Sequence, residues 1–306
     1  MGLEMRHWFS ASLLALILSG AIASAQLPWQ PGVGTPAAGG GGFTGIGDVS
    51  ATGVQGHYGS VAFSAASRGS NMYNICDASS VGTCKDIASD ATTGLVSSTQ
   101  GVGTIATCGT GGNQCYVEKA YDDSGAGHDM ASLGAARPAF QTSAIGSLPG
   151  VGCVNDGSTR LGYVGYTTTA SAMYWAMVFH SNGTPPAVTT PIFEPSGGDY
   201  IGINFSPGQV FLSRNSSGSA ITFTVVGGTN YAFIAGDDGA TASHFFIDGT
   251  DNTGTSGTNT SSGTKEYCNG GGAGFIGFST EIAFYNADLA SVASSMNTTI
   301  HTNNGF

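Results

Sequence analysis

Apolar residues in this chain come in short runs, each stopped within a few positions by glycine, serine, asparagine or proline. No architecture of long buried helices survives that punctuation. Glycine fills 50 of 306 positions and only 9% of residues are charged, yet 41% are hydrophobic, enough for a packed core and too much for a disordered chain. The runs are rich in aromatic and β-branched residues, and their length suits strands. The strongest spans 172–180 and is closed by Pro185-Pro186. Runs at 200–205 and 209–213 flank Ser206-Pro207-Gly208 as a hairpin, and runs at 220–226, 231–235 and 244–247 continue the set, the last ended by Asp248-Gly249. Val61-Ala62-Phe63 reads as the first strand, 115–120 as an alternating strand and 275–285 as the final one. A short amphipathic helix is expected near 290–301, with Asp288 placed to cap it.

The amino terminus reads as an export signal. Arg6 and His7 precede the apolar run 13–18, and Ala23-Ser24-Ala25 follows as a cleavage site. Residues 1–25 are therefore expected to be removed, leaving a secreted, periplasmic or cell-surface protein with no membrane insertion afterwards. Residues 26–56, Gly- and Pro-rich, read as a flexible leader, and 57–306 as a single domain. The net charge of −11, with eight basic residues spread singly, argues against nucleic acid or an anionic membrane as partner.

Six cysteines in such a chain imply a disulfide framework, for which fifteen pairings exist. Short loops close most readily, which favours Cys76–Cys84 and Cys108–Cys115 and leaves Cys153–Cys268. No C-x-x-C spacing or nearby His pair supports a metal site, and no cofactor is expected. After the 115–120 strand comes Tyr121-Asp122-Asp123-Ser124-Gly125-Ala126-Gly127-His128-Asp129-Met130. Its glycines permit positive φ, and its Asp and Ser side chains can bond the local backbone, so Asp122, Ser124, Gly125 and Gly127 read as a structural turn. The alternatives are an acid/base pair at Asp122 and Asp123, or a Ca²⁺ loop, for which the spaced acidic pattern is missing.

The two cysteine loops, 76–84 and 108–115, followed by this Tyr-Asp-x-Ser-Gly-x-Gly stretch, resemble the catalytic domain of the secreted α-L-arabinofuranosidase B family. The likeness covers roughly residues 58–140 and is similar to the wider concanavalin and laminin-G-like sandwiches. It implies an all-β, concanavalin-like jelly-roll sandwich with a short C-terminal helix, and a polysaccharide or glycan as partner. In such sandwiches the Glu of the closing strand, here Glu281, is a structural residue.

The family uses a nucleophilic Glu in an Asp-Leu-Glu-Asn-Gly stretch and an Asp acid/base in a Gly-Gly-Asp stretch. The best matches here are Asn204-Phe205-Ser206-Pro207-Gly208 and Asn269-Gly270-Gly271-Gly272, which place Ser206 and Gly270 where carboxylates belong. The family's adjacent-cysteine pair is missing as well. A retaining glycosidase needs two carboxyl groups about 5–5.5 Å apart. Among acids beyond residue 25, Glu194, Asp199 and Glu266 are the catalytic candidates, and Glu118 and Glu281 complete the glutamates. His57, His128, His180 and His244 stand apart from one another. The expectation is a glycan-binding domain with little or no hydrolysis, its affinity carried by surface aromatics such as Tyr200 and Tyr267, with Trp175 assigned to the core. The alternatives are an active α-L-arabinofuranosidase and a structural or adhesion module of the cell envelope.

Overall fold

The computed structural model describes residues 42–97, 114–153, 159–167, 172–182, 190–191, 193–195, 202–206, 209–213, 221–238, 242–255, 262–268 and 277–306. A single helical turn, α1 (Ile46–Val49), precedes β1 (Val54–Gly59). Next come the hairpin β2 (Asn71–Cys76) and β3 (Cys84–Ala88), then β4 (Cys115–Ala120) and β5 (Met130–Ser132). The hairpin β6 (Ala139–Ile145) and β7 (Leu148–Cys153) leads to β8 (Leu161–Thr167) and β9 (Met173–Ser181). Two short strands, β10 (Thr190–Pro191) and β11 (Phe193–Pro195), precede β12 (Gly202–Ser206), β13 (Gln209–Ser213) and β14 (Ile221–Thr224). The chain continues through β15 (Asn230–Asp237), β16 (Ser243–Ile247), β17 (Thr250–Gly254), β18 (Ser262–Tyr267) and β19 (Gly277–Tyr285), and ends on α2 (Ala290–Asn304).

Fifteen of these strands join one large sheet, and β10, β12, β13 and β14 form a second. All strand pairings are antiparallel. The result is an all-β jelly-roll sandwich of concanavalin type with a short C-terminal helix. The run at 172–180 lacks polar alternation because β9 is covered on both sides. Trp175, Met177 and Phe179 join the main core with Phe233, Phe284 and Leu212. Tyr174, Ala176 and Val178 join a second core closed by Leu289, Ala293, Met296 and Ile300. Those four follow the spacing of one helical face, which is why α2 forms on this sheet. The Ala290 N–H donates to Asp288 Oδ1 at 2.9 Å, and the helix runs three residues past His301 to stop at Gly305, φ 76°.

Two expectations change. The first strand is β1, not 61–63: Val61 makes only an isolated bridge to Leu95. Val-Gln-Gly-His-Tyr-Gly carries no apolar alternation, and its extended form comes from pairing along β19. The folded part also takes in the end of the segment read as leader, since Ile46 is fully buried. Residues 1–41 lie outside the described residues. Cys76 and Cys84 are bonded across directly opposed positions of β2 and β3, and Cys153–Cys268 ties the end of β7 to the residue after β18. Cys115 is also disulfide-bonded, and Cys108 lies outside the described residues.

Candidate functional site

The corner between β4 and β5 is held by its own acids. Asp122 Oδ1 accepts the N–H of His57 and of Ser124, both at 3.0 Å, and the Ser124 hydroxyl at 2.6 Å. Its other oxygen accepts the His128 N–H at 2.9 Å, and Asp129 Oδ1 accepts the N–H of Asp122 itself. Gly125 and Gly127 sit at φ 86° and 79°, a conformation that an L side chain resists. Four donors therefore occupy the Asp122 carboxylate and tie it to the backbone of the corner and of β1.

Asp123 faces inward. Its Oδ2 accepts the Phe63 N–H at 2.7 Å and the Ser67 hydroxyl at 3.1 Å, while Oδ1 meets His57 Nδ1 at 2.5 Å. His57 Nε2 reaches Glu281 Oε1 at 3.2 Å. Glu281 Oε2 in turn accepts the Asn304 amide at 2.8 Å, and Asn304 Oδ1 accepts the Thr280 hydroxyl. The side chains of His57, Asp123 and Glu281 are all fully buried. Burial opposes a charged imidazole, but the two carboxylates, one on each ring nitrogen, outweigh it and raise the His57 pKa to about 10. The result is an imidazolium clamped between two carboxylates, linking β1, the corner, β19 and α2. All three side chains are closed to solvent, and the clamp braces these elements against one another. His57 stands far from both partners in sequence: pairing of β1 with β19 brings Glu281 to it, and the corner brings Asp123.

The catalytic candidates fall elsewhere. Glu194 on β11 lies directly opposite Glu266 on β18, between the pairs Phe193–Tyr267 and Pro195–Lys265. Asp199, Tyr200 and Gly270 lie outside the described residues, and Ser206 ends β12. Tyr267, expected on the surface, is 1% exposed and lines a small internal cavity with Tyr58, Tyr73, Met130 and Leu161, so its ring offers no face to a sugar. Sequence alone did not assign this side chain to a face. Trp175 is in the core, as expected. Among the described residues no cluster of three His, Cys, Asp or Glu is placed to hold a metal ion, and no helix is long and apolar enough to cross a membrane.

Tyr121, at the mouth of the corner, behaves differently from its neighbours. It is half-buried, its hydroxyl donates to exposed Asp86 at 2.7 Å, and the Lys119 ammonium lies 5.0 Å from its ring centre.

No family model matches the chain, and neither does any curated protein. Solved structures do match. A GH54 α-L-arabinofuranosidase soaked with a cyclic sulfate inhibitor superposes with a TM-score of 0.64 at 13% identity, over 85% of this chain and 66% of that one. A mutant GH54 enzyme soaked with 4-nitrophenyl α-L-arabinofuranoside gives 0.60 at 12% identity, over 85% and 66%. An arabinofuranosidase complexed with arabinofuranosyl-α-1,2-xylobiose gives 0.59 at 13% identity, over 85% and 65%. The chain thus spans about two thirds of the length of these enzymes and shares the fold of that part.

Proposed function

We propose that the chain is an exported glycan-interacting sandwich domain, taking arabinose-containing or related neutral polysaccharide with little or no hydrolysis. The observation that carries this is the fold shared over 85% of the chain with arabinofuranosidases. Ser206 and Gly270, at the positions matched to that family's two carboxylates, argue against turnover. A neutral Ser without an activating base cannot serve as the nucleophile of a retaining site, and Gly supplies no acid. The disulfides Cys76–Cys84 and Cys153–Cys268 fit an oxidising compartment and accord with the signal-like residues 1–25.

One observation favours a second reading, a retaining glycoside hydrolase using Glu194 and Glu266. The two residues hold directly opposed backbone positions on β11 and β18, and a retaining site needs its two carboxyl groups about 5–5.5 Å apart. The two readings separate in one assay on the purified exported protein, with 4-nitrophenyl α-L-arabinofuranoside and soluble arabinoxylan as probes. Retention by arabinoxylan in an affinity gel without nitrophenol release is the expected result. Release abolished by Glu194→Gln, Glu266→Gln or Asp199→Asn replaces the first reading with the second. Neither retention nor release sinks both.

A further inference from the structure

The open face formed by β3, β2 and β4 carries an array that the buried brace does not use. Asn74 on β2 lies opposite Asp86 on β3 and opposite Lys119 on β4. Asp86 is exposed, yet its Oδ1 is gripped by the Asn74 amide at 2.6 Å and the Tyr121 hydroxyl at 2.7 Å. Among the described residues its Oδ2 receives only a long contact from exposed Asn71, at 3.4 Å. Lys119 is held in turn by Asp129 at 3.3 Å. Fixing side chains in water costs conformational entropy that exposed polar pairs barely offset. Here six residues from three strands and the corner accept that cost, and what they fix is the carboxylate of exposed Asp86 near a tyrosine ring and an ammonium. The hydrogen bonds from Asn74 and Tyr121 hold the Asp86 carboxyl below its ordinary range, so it stays ionised.

The geometry points to a binding surface for a neutral, hydroxyl-rich glycan on this face: Asp86 Oδ2 accepts from sugar hydroxyls, Asn71 and Lys119 donate, and Tyr121 contributes its ring. Charge selects among ligands. Lys119 and Asp129 cancel, leaving one carboxylate on a chain of net charge −11, which repels an anionic polymer. A single carboxylate falls far short of the six to eight oxygens that Ca²⁺ takes. Sugar hydroxyls suit a fixed acceptor flanked by donors, and pre-fixing them lowers the entropy lost on binding. This surface is distinct from the Glu194–Glu266 pair, and it rests on the glycan-binding reading above.

The test is affinity electrophoresis of the full exported protein in gels containing soluble arabinoxylan, dextran or polygalacturonate, with melting temperatures measured alongside. Asp86→Asn is expected to weaken retention by a neutral polymer about tenfold, as loss of a charged acceptor does. Tyr121→Phe, which frees Asp86 while keeping the ring, is expected to weaken it about threefold. Melting temperatures should stay close to the parent's, because Asp86 is exposed. Parent-like retention by Asp86→Asn and Tyr121→Phe overturns this surface and leaves the glycan reading standing. A parent held by none of the polymers overturns both, and a parent held by polygalacturonate alone overturns the neutral assignment.

Discussion

Asp123→Asn tests the buried brace most sharply, because it changes almost no volume. The carboxylate serves three donors: the His57 ring, the Phe63 N–H and the Ser67 hydroxyl. An amide offers one acceptor oxygen and turns two donor hydrogens toward groups that are themselves donors. Either His57 or Phe63 then loses its partner at a fully buried site, and Glu281 keeps an imidazole that no longer has two carboxylates to hold its charge. Breaking a buried ion pair by removing one partner costs about 3–5 kcal/mol. The His57 shift points the same way: its pKa rises from 6.5 to about 10 because the two carboxylates outweigh the cost of burial. The folded pKa lies above the unfolded one, so this stability is complete below pH 6.5 and declines as pH rises through about 10. The deficit of the variant should therefore be largest near pH 6 and narrow toward pH 10. Urea denaturation at pH 6, 8 and 9.5, followed by the fluorescence of buried Trp175, measures it; other titrating groups are shared by parent and variant and cancel. A deficit under about 1 kcal/mol at pH 6, or one that widens with pH, refutes the reasoning.

Asp122→Ala removes the acceptor for the N–H groups of His57, Ser124 and His128 and should lower stability by about 1–3 kcal/mol, read from the same denaturation curves; a parent-like curve with lost glycan retention would move this acid from scaffold to site. Non-reducing peptide mapping should return Cys76 linked to Cys84 and Cys153 linked to Cys268. From loops of 8 and 115 residues, chain entropy puts removal of the first at about 2.5 kcal/mol and of the second at about 5, so paired Cys→Ala variants should melt in that order.

Strands whose character is set locally were legible in the sequence. The 172–180 run announced a buried strand, and Asp248-Gly249 announced the turn between β16 and β17, where both residues take positive φ. The corner at 121–130 was legible as a turn because Asp, Ser and Gly act on their own neighbours. Features set by distant pairing were not. His57 looked solitary because its partners arrive from the corner and from β19, and β1 lacked any alternation to mark it. The opposition of Glu194 and Glu266 depends on the register of β11 against β18, which no local pattern encodes. Tyr267 was misplaced for a related reason: an aromatic near a chain of glycines and polar residues reads as exposed until the face of its strand is known.

β19 occupies a position with consequences for the order of assembly. Along one edge it pairs with β9 over its whole length, and its other edge is divided between β7 and β1. It also delivers Glu281 to the brace and the inner residues of both cores. A chain emerging amino terminus first, from a ribosome or through a translocation pore, thus holds β1, β7 and β9 with open edges until residues 277–285 arrive. Before that moment the strands that end at β7 and those that begin at β9 have no strand joining them, and such an open edge is a place where a protease can still cut. The strand works as a latch: it joins the two halves of the large sheet, and loss of the segment leaves β7 and β9 with no strand between them.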